Sequence, residues 1–244
     1  KTTGLFRLPV DRVFTMRGFG TVITGSLVSG SVSVGETVML YPTQKTAKVR
    51  GLQVHNQAVA TAAAGQRTAV NFQGLDLAAV ERGHVLSTPQ ALVPSFMVDV
   101  SLHYLGSARK PLKNRTRVRF HTGTSEILGN VVLLGADELA PGESAPAQIR
   151  LDTPVALVRD DRFVIRSASP MRTIGGGRVL NPIPPKHKRF RQEVVEGLSR
   201  LSEMPPEEAV AFHARENGPR GVSLAALRLM TNLPDKQIES VLVA

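Results

Sequence analysis

The 244-residue sequence contains no cysteine, no tryptophan and only two tyrosines. Without thiols it can form neither a disulfide framework nor a thiolate metal site, which favours a reducing, cytoplasmic setting. Its six histidines are scattered, so no metal site is expected. No apolar run approaches the roughly 20 residues needed to cross a bilayer, and no signal-peptide core follows Lys1. Also missing are a GxxxxGKS/T phosphate loop, a glycine-rich dinucleotide turn before a helix and an HExxH zinc site. The adjacent acids Asp137-Glu138 and Asp160-Asp161 fit solvated turns better than paired acid-base chemistry. These absences predict no enzyme activity and no cofactor within this stretch. The sequence opens on Lys1 rather than methionine and stops inside a predicted helix, so it is expected to be a piece of a longer protein.

Positive charge is plentiful. Thirty Lys and Arg residues against twenty Asp and Glu give a net charge of +10 and a pI near 10.6. Nine basic and four acidic residues fall in 1–90, twelve and eight in 91–185, and nine and eight beyond, so the excess sits on the first two thirds. Such a balance points to a polyanionic partner, nucleic acid first. No aromatic-rich RNA-binding motif accompanies it, so contact with a phosphate backbone is expected rather than base reading.

Hydrophobic periodicity divides the chain. From Leu5 to Ser87, short apolar stretches (Val13 to Met16, Thr21 to Leu27, Thr37 to Tyr41, Ala47 to Val54, Thr68 to Phe72) alternate with Gly, Ser and Asn turns. That rhythm predicts a closed β domain. After Thr88-Pro89 a second begins, where Phe96, Val98, Val100, Leu102 and Tyr104 alternate with Met97, Asp99, Ser101 and His103, one face buried and the other mostly wet. Val118 and Phe120 alternate with Arg117 and Arg119, and Ile127 to Leu134, Ile149 to Leu157 and Phe163 to Ile165 supply further strands. The fold class is therefore mainly β: two tandem small β-barrels, 1–90 and 91–183, followed by a helical segment, 184–244.

In that last segment Phe190, Val194, Val195, Leu198 and Leu201 share one helical stripe. Pro205-Pro206-Glu207-Glu208 reads as a helix start, Gly218-Pro219 as its stop, Ser223 as the cap of Leu224 to Met230, and Pro234 as the opening of a further helix. Three helices with a tight last turn suggest a helix-turn-helix or a truncated winged helix. Lys236 and Gln237 alone could face base edges, which is poor equipment for reading DNA.

The most specific run is RGFGTVITG, Arg17 to Gly25, a tight turn followed by a β-branched strand. It resembles the start of the β-barrel that follows the GTPase domain in factors such as elongation factor Tu. LPVDRVFTMRGFGTVITGSLVSG, SVGETVML, AGQRTAVNFQGL and ERGHVLSTP are similar to domain two of that group in order and spacing, and FVIRSASPMRTIGGGRVLNP to the end of domain three. Asp11-Arg12, the arginine in Gly65-Gln66-Arg67, the wording of KVRGLQVHNQAV and the appended helices resemble the selenocysteine-specific elongation factors of the SelB family.

The resemblance implies an aminoacyl pocket of Asp11, Arg12 and Arg67, with Phe14 and Thr24 on its wall. A selenol is far more acidic than a thiol, so selenocysteine presents a selenolate at neutral pH while serine stays neutral. Two guanidiniums would favour the anion through charge-assisted hydrogen bonds of roughly 1.5 to 3 kcal/mol each. A plain surface salt bridge between Asp11 and Arg12 or Arg67, with no bearing on specificity, remains the alternative. Arg172, Gly175, Gly176 and Arg178 would approach the tRNA backbone. Arg109, Lys110, Lys113, Arg115, Arg117 and Arg119 form a looser basic patch, equally consistent with a solvated strand face. Selenocysteinyl-tRNA and the ribosome are the implied partners. GTP, Mg and a reader of an mRNA hairpin would belong to parts of the parent outside this stretch, and no membrane is involved. A general or initiator aminoacyl-tRNA carrier, the barrel pair of a sulfate-activating GTPase subunit and a helix-turn-helix DNA regulator stay open.

Overall fold

A computed structural model describes residues 4–16, 20–73 and 77–243. The glycine turn expected at Arg17 to Phe19 lies outside the described residues. One compact unit runs to Val93 and also takes in Gly123–Ser125, and a second comprises Pro94–Thr122 and the chain from Glu126 onward.

In the first unit, β-branched and apolar residues at every second position send one face of each strand inward. The strands are β1 (Arg7–Met16), β2 (Gly20–Ser26), β3 (Ser31–Ser33), β4 (Thr37–Tyr41), β5 (Lys45–Val54), β6 (Gln57–Val59), β7 (Thr61–Ala63), β8 (Arg67–Gln73) and β9 (Val85–Ser87). Six of them pair in the order β4-β9-β1-β2-β8-β5, and a β4–β5 pairing closes the ring. Leu8, Val10, Ile23, Leu40, Val49, Val70 and Leu86 fill the interior. Gly25 is required where β1 crosses β2, since a Cβ there would lie 2.2 Å from the carbonyl oxygen of Pro9.

The second unit contains β10 (Ser95–Tyr104), β11 (Leu112–Lys113), β12 (Thr116–Thr122), β13 (Ser125–Leu133), β14 (Glu138–Leu139), β15 (Ser144–Val155), β16 (Arg162–Ser167) and β17 (Thr173–Asn181). Here the ring closes in the order β10-β15-β13-β12-β16-β17. Val98, Val100, Leu102, Val118, Val131 and Ile149 are buried inside it, with Phe120 stacked on Phe163 at 5.1 Å between ring centroids.

Two expectations along β10 fail for identifiable reasons. The pairing with β15 slips between Ser95 and Met97, and this bulge turns Phe96 out of the core to 55% exposure. Asp99, expected on the wet face, is 1% exposed because the segment after β17 folds back over it.

Four helices follow: α1 (Gln192–Glu203), α2 (Pro206–Asn217), α3 (Leu224–Thr231) and α4 (Asp235–Val243). Their ends obey local rules. Pro206 occupies the first turn of α2 with Glu207 and Glu208 at its positive end, Gly218 closes it at φ +49°, and the Ser223 hydroxyl accepts the Ala226 amide at 3.2 Å. Phe190 does not join the α1 stripe. It precedes the helix at φ 60° and is mostly exposed, with the Arg189 guanidinium 4.5 Å from its ring centre. Leu198 and Leu201 of α1 pack with Val132, Leu134 and Leu180 of the barrel, while Val210, Leu227, Leu233 and Ile238 join α2, α3 and α4. Among the described residues no helix is long and apolar enough to cross a membrane.

His213 on α2 is 4% exposed. Burial, reinforced by the charge of Arg159, pushes its imidazole down to about 4, against the upward pull of a hydrogen bond to the Met230 backbone. Between the ordinary histidine value and that lowered one, the unfolded chain takes up a proton that the folded chain refuses, so acidification through this range destabilises the fold. Between pH 7 and pH 4.5, the wild type should lose about 2 to 3 kcal/mol more stability than His213→Asn in denaturant unfolding. Equal pH slopes would contradict this.

Candidate functional site

Regular pairing breaks on β1 at one residue. Val10 pairs with Gly25 and Arg12 with Thr24, leaving Asp11 as the extra residue of a bulge. Bulges re-aim side chains, and this one directs the Asp11 carboxylate across β2 toward β8. Asp11 Oδ1 accepts the Thr24 hydroxyl at 2.7 Å. Arg67 completes a fork, with Nη1 donating to Oδ2 at 2.5 Å and Nη2 to Oδ1 at 3.2 Å. Register brings the partners together: Thr24 pairs with Ala69, two residues along β8 from Arg67.

Partial burial pushes the Asp11 carboxyl upward, but the hydrogen bonds from Thr24 and Arg67 and the charges of Arg67 and Arg12 outweigh it and hold it below the usual value. Asp11 is therefore a permanent anion near neutrality. The Arg67 side chain remains 52% exposed, with two of its five N–H groups committed to the fork. An incoming anion can reach the rest. The exposed Arg12 acts on Asp11 through charge, and Phe14, 38% exposed, stands opposite Val22. Of the five predicted pocket residues, hydrogen bonds thus join Asp11, Thr24 and Arg67, and strand pairing keeps Arg12 and Phe14 beside them.

Next to Thr24 on the same strand face lies a cavity of about 220 Å³. Val22, Gly51, Ala58 and Ala69 give it apolar walls, and Gln53 and Asn71 supply amides. Nothing in the sequence pattern marked this groove, because its residues come from four strands.

On the second barrel three of the four predicted backbone-contact residues also have internal roles. A Cβ at Gly175 or Gly176 would approach a backbone oxygen, of His103 or Phe163, to 2.7 Å, so strand packing itself demands these glycines. Arg178 donates to the Ser202 carbonyl at the end of α1 and lies 3.8 Å from Asp160. Arg172 is exposed, its backbone held by the Ser167 hydroxyl. Of the looser patch, Arg117 pairs with Asp152 and Arg119 with Glu126. Pairing reveals what sequence reading missed: Arg119 faces Arg166 and Arg162 faces Arg178 directly across neighbouring strands, with His121 one row away. Like charges in such pairs oppose each other. Glu126 beside Arg119 and Asp160 beside Arg178 offset part of this repulsion.

Among the described residues no group of three His, Asp or Glu could hold a metal ion. Two closed barrels in tandem, followed by helices, match barrel domains of translation elongation factors. The family model for elongation factor Tu domain 2 matches residues 20–87, and that for the β-barrel domain of selenocysteine-specific elongation factors matches residues 99–186. The selenocysteine-specific elongation factor of Desulfomicrobium baculatum is 46% identical over 242 residues, covering 99% of this chain and 38% of that protein. Its Escherichia coli K12 counterpart is 33% identical over 210 residues, covering 85% of this chain and 32% of the relative. A crystal structure of a bacterial selenocysteine-specific elongation factor, EF-Sec, superposes with a TM-score of 0.77 at 25% identity, over 95% of this chain and 36% of that one. The chain belongs to the selenocysteine-specific elongation factor family and spans about a third of the length of these relatives.

Removing the Thr24 hydroxyl tests the fork. Thr24→Val should raise the Asp11 pKa toward its ordinary value, read from carboxyl carbon shifts in an NMR titration, at a stability cost of about 1 kcal/mol. An unmoved titration would mean that Thr24 does not set the carboxylate.

Proposed function

We propose that this chain is the aminoacyl-tRNA-binding part of a selenocysteine-specific elongation factor, with 1–90 and 91–183 as its two barrels and 184–244 as the start of a winged-helix extension. The reading rests foremost on the bulge at Asp11, whose carboxylate fixes the exposed Arg67 guanidinium and feels the charge of Arg12. Two cations next to a groove with amide-bearing walls suit the aminoacyl end of a tRNA: the guanidiniums attract an ionised side chain, and the groove admits a flat terminal base. A selenolate satisfies the free N–H groups of Arg67. A neutral serine hydroxyl leaves them facing one weak acceptor, a penalty that adds to selectivity. The basic face of Arg119, Arg162 and Arg166, with Arg172 and Arg178 at its edge, suits phosphates of the same tRNA.

The one three-glycine run is filled by strand packing rather than shaped as a phosphate cradle, so GTP and Mg are assigned to the remainder of the parent, which acts as the GTPase. Delivery to the ribosome and recognition of an mRNA hairpin likewise belong to the parent in the cytoplasm. The comparisons do not favour the sulfate-activating, general-carrier or DNA-regulator readings.

In the full-length factor, Arg67→Ala should reduce the preference for selenocysteinyl- over seryl-tRNA roughly 10- to 100-fold, following the loss of one charge-assisted hydrogen-bonding group. GTP affinity should be unchanged. Undiminished discrimination in a competition binding assay would remove Arg67 from the pocket.

A further inference from the structure

Two of the most deeply buried polar side chains of the second unit, Asp99 and Gln148, face the connector between β17 and α1. Asp99 Oδ1 accepts from Gln148 Nε2 at 3.0 Å, and His187 Nε2 donates to Oδ2 at 2.7 Å. The same Gln148 amide donates to the Pro185 carbonyl at 2.9 Å. Arg150 holds Gln148 Oε1 through Nε at 3.1 Å and the His187 carbonyl through Nη2 at 3.2 Å. Further along, Arg189 donates to the Leu133 carbonyl at 2.9 Å and to Asp137 Oδ1 at 2.6 Å, and the Phe190 amide to the Leu134 carbonyl at 2.7 Å.

A second clamp grips the opposite end of α1. Arg159, 2% exposed, donates from Nη2 to the Leu201 carbonyl at 2.9 Å and to the Met204 carbonyl at 2.6 Å, while its own amide donates to Leu229 of α3 at 2.8 Å. Between the clamps, Leu198 and Leu201 pack on Val132, Leu134 and Leu180.

Linkers between independently moving domains are ordinarily exposed, polar and poor in contacts. This one covers a carboxylate and takes both donors of a fully buried glutamine amide on the barrel side, one for Asp99 and one for the connector's Pro185 carbonyl. Taking away one partner of such a buried pair leaves a desolvated polar group without its hydrogen bond, which couples the connector to the barrel. We infer that the second barrel and the helical segment fold and move as one rigid body, pinned by Asp99 and His187, so that force on the helices is passed to the barrel strands instead of being absorbed by a hinge. The inference does not depend on which ligand either end binds.

Native-state hydrogen exchange on this chain tests it. In the wild type, the slow amides of α1 and α2 should exchange with those of β10 and β15 as one cooperative set. His187→Ala should speed α1 and α2 exchange at least tenfold relative to β12 and β16. Asp99→Asn with His187→Gln keeps a neutral hydrogen-bonded pair and should stay within about threefold of the wild type. Helix amides that exchange well ahead of β10 in the wild type, or that ignore His187→Ala, would overturn the inference. Because the chain has no cysteine, spin labels at Lys113→Cys and Glu207→Cys give an independent reading that does not rely on a pin variant folding. One narrow distance supports the rigid body, and a broad or split distribution overturns it.

Discussion

The candidate site depends on a single extra residue in β1. Without the bulge, strand alternation would point Asp11 to the opposite face from Arg12, and the carboxylate could not meet Thr24 and Arg67 together. With it, one carboxylate orients an arginine that it does not use up. The Arg67–Asp11 pair is half-exposed and contributes little to stability by itself. Its value lies in geometry: a guanidinium held in one place keeps its remaining N–H groups for an arriving anion.

Charge and shape divide the work between the two barrels. On the first, few cations stand next to a groove of defined walls, an arrangement suited to discriminating one chemical group. On the second, cations repeat across neighbouring strands, with Glu126 and Asp160 beside two of them. The helices add a third property, attachment through buried polar groups rather than through a flexible tether.

Much of this was legible in the sequence. Apolar alternation, turn residues and helix caps are local signals, and they placed both barrels and most helix ends. Errors arose where a distant element changed a local rule. The bulge between Ser95 and Met97 turned Phe96 outward, and the connector buried Asp99. The Asp11–Arg67 contact joins residues 56 positions apart, so only family resemblance brought them together before the fold did. The facing arginines of β12, β16 and β17 depend on register, which no composition reveals. Gly175 and Gly176 of β17 carried a functional expectation, and the close approach of neighbouring backbones is a further reason for glycine at both positions.

The central claim is that a fixed positive site prefers an ionised side chain to a neutral hydroxyl. The most direct measurement is the pH dependence of the full-length factor's relative affinity for selenocysteinyl- and seryl-tRNA. Asp11, held below the ordinary carboxylate range, remains charged throughout, so the selenol is the group that changes. The account predicts a preference that falls as pH drops through the selenol's ionisation, while seryl-tRNA affinity stays level. A preference independent of pH across that range would contradict it.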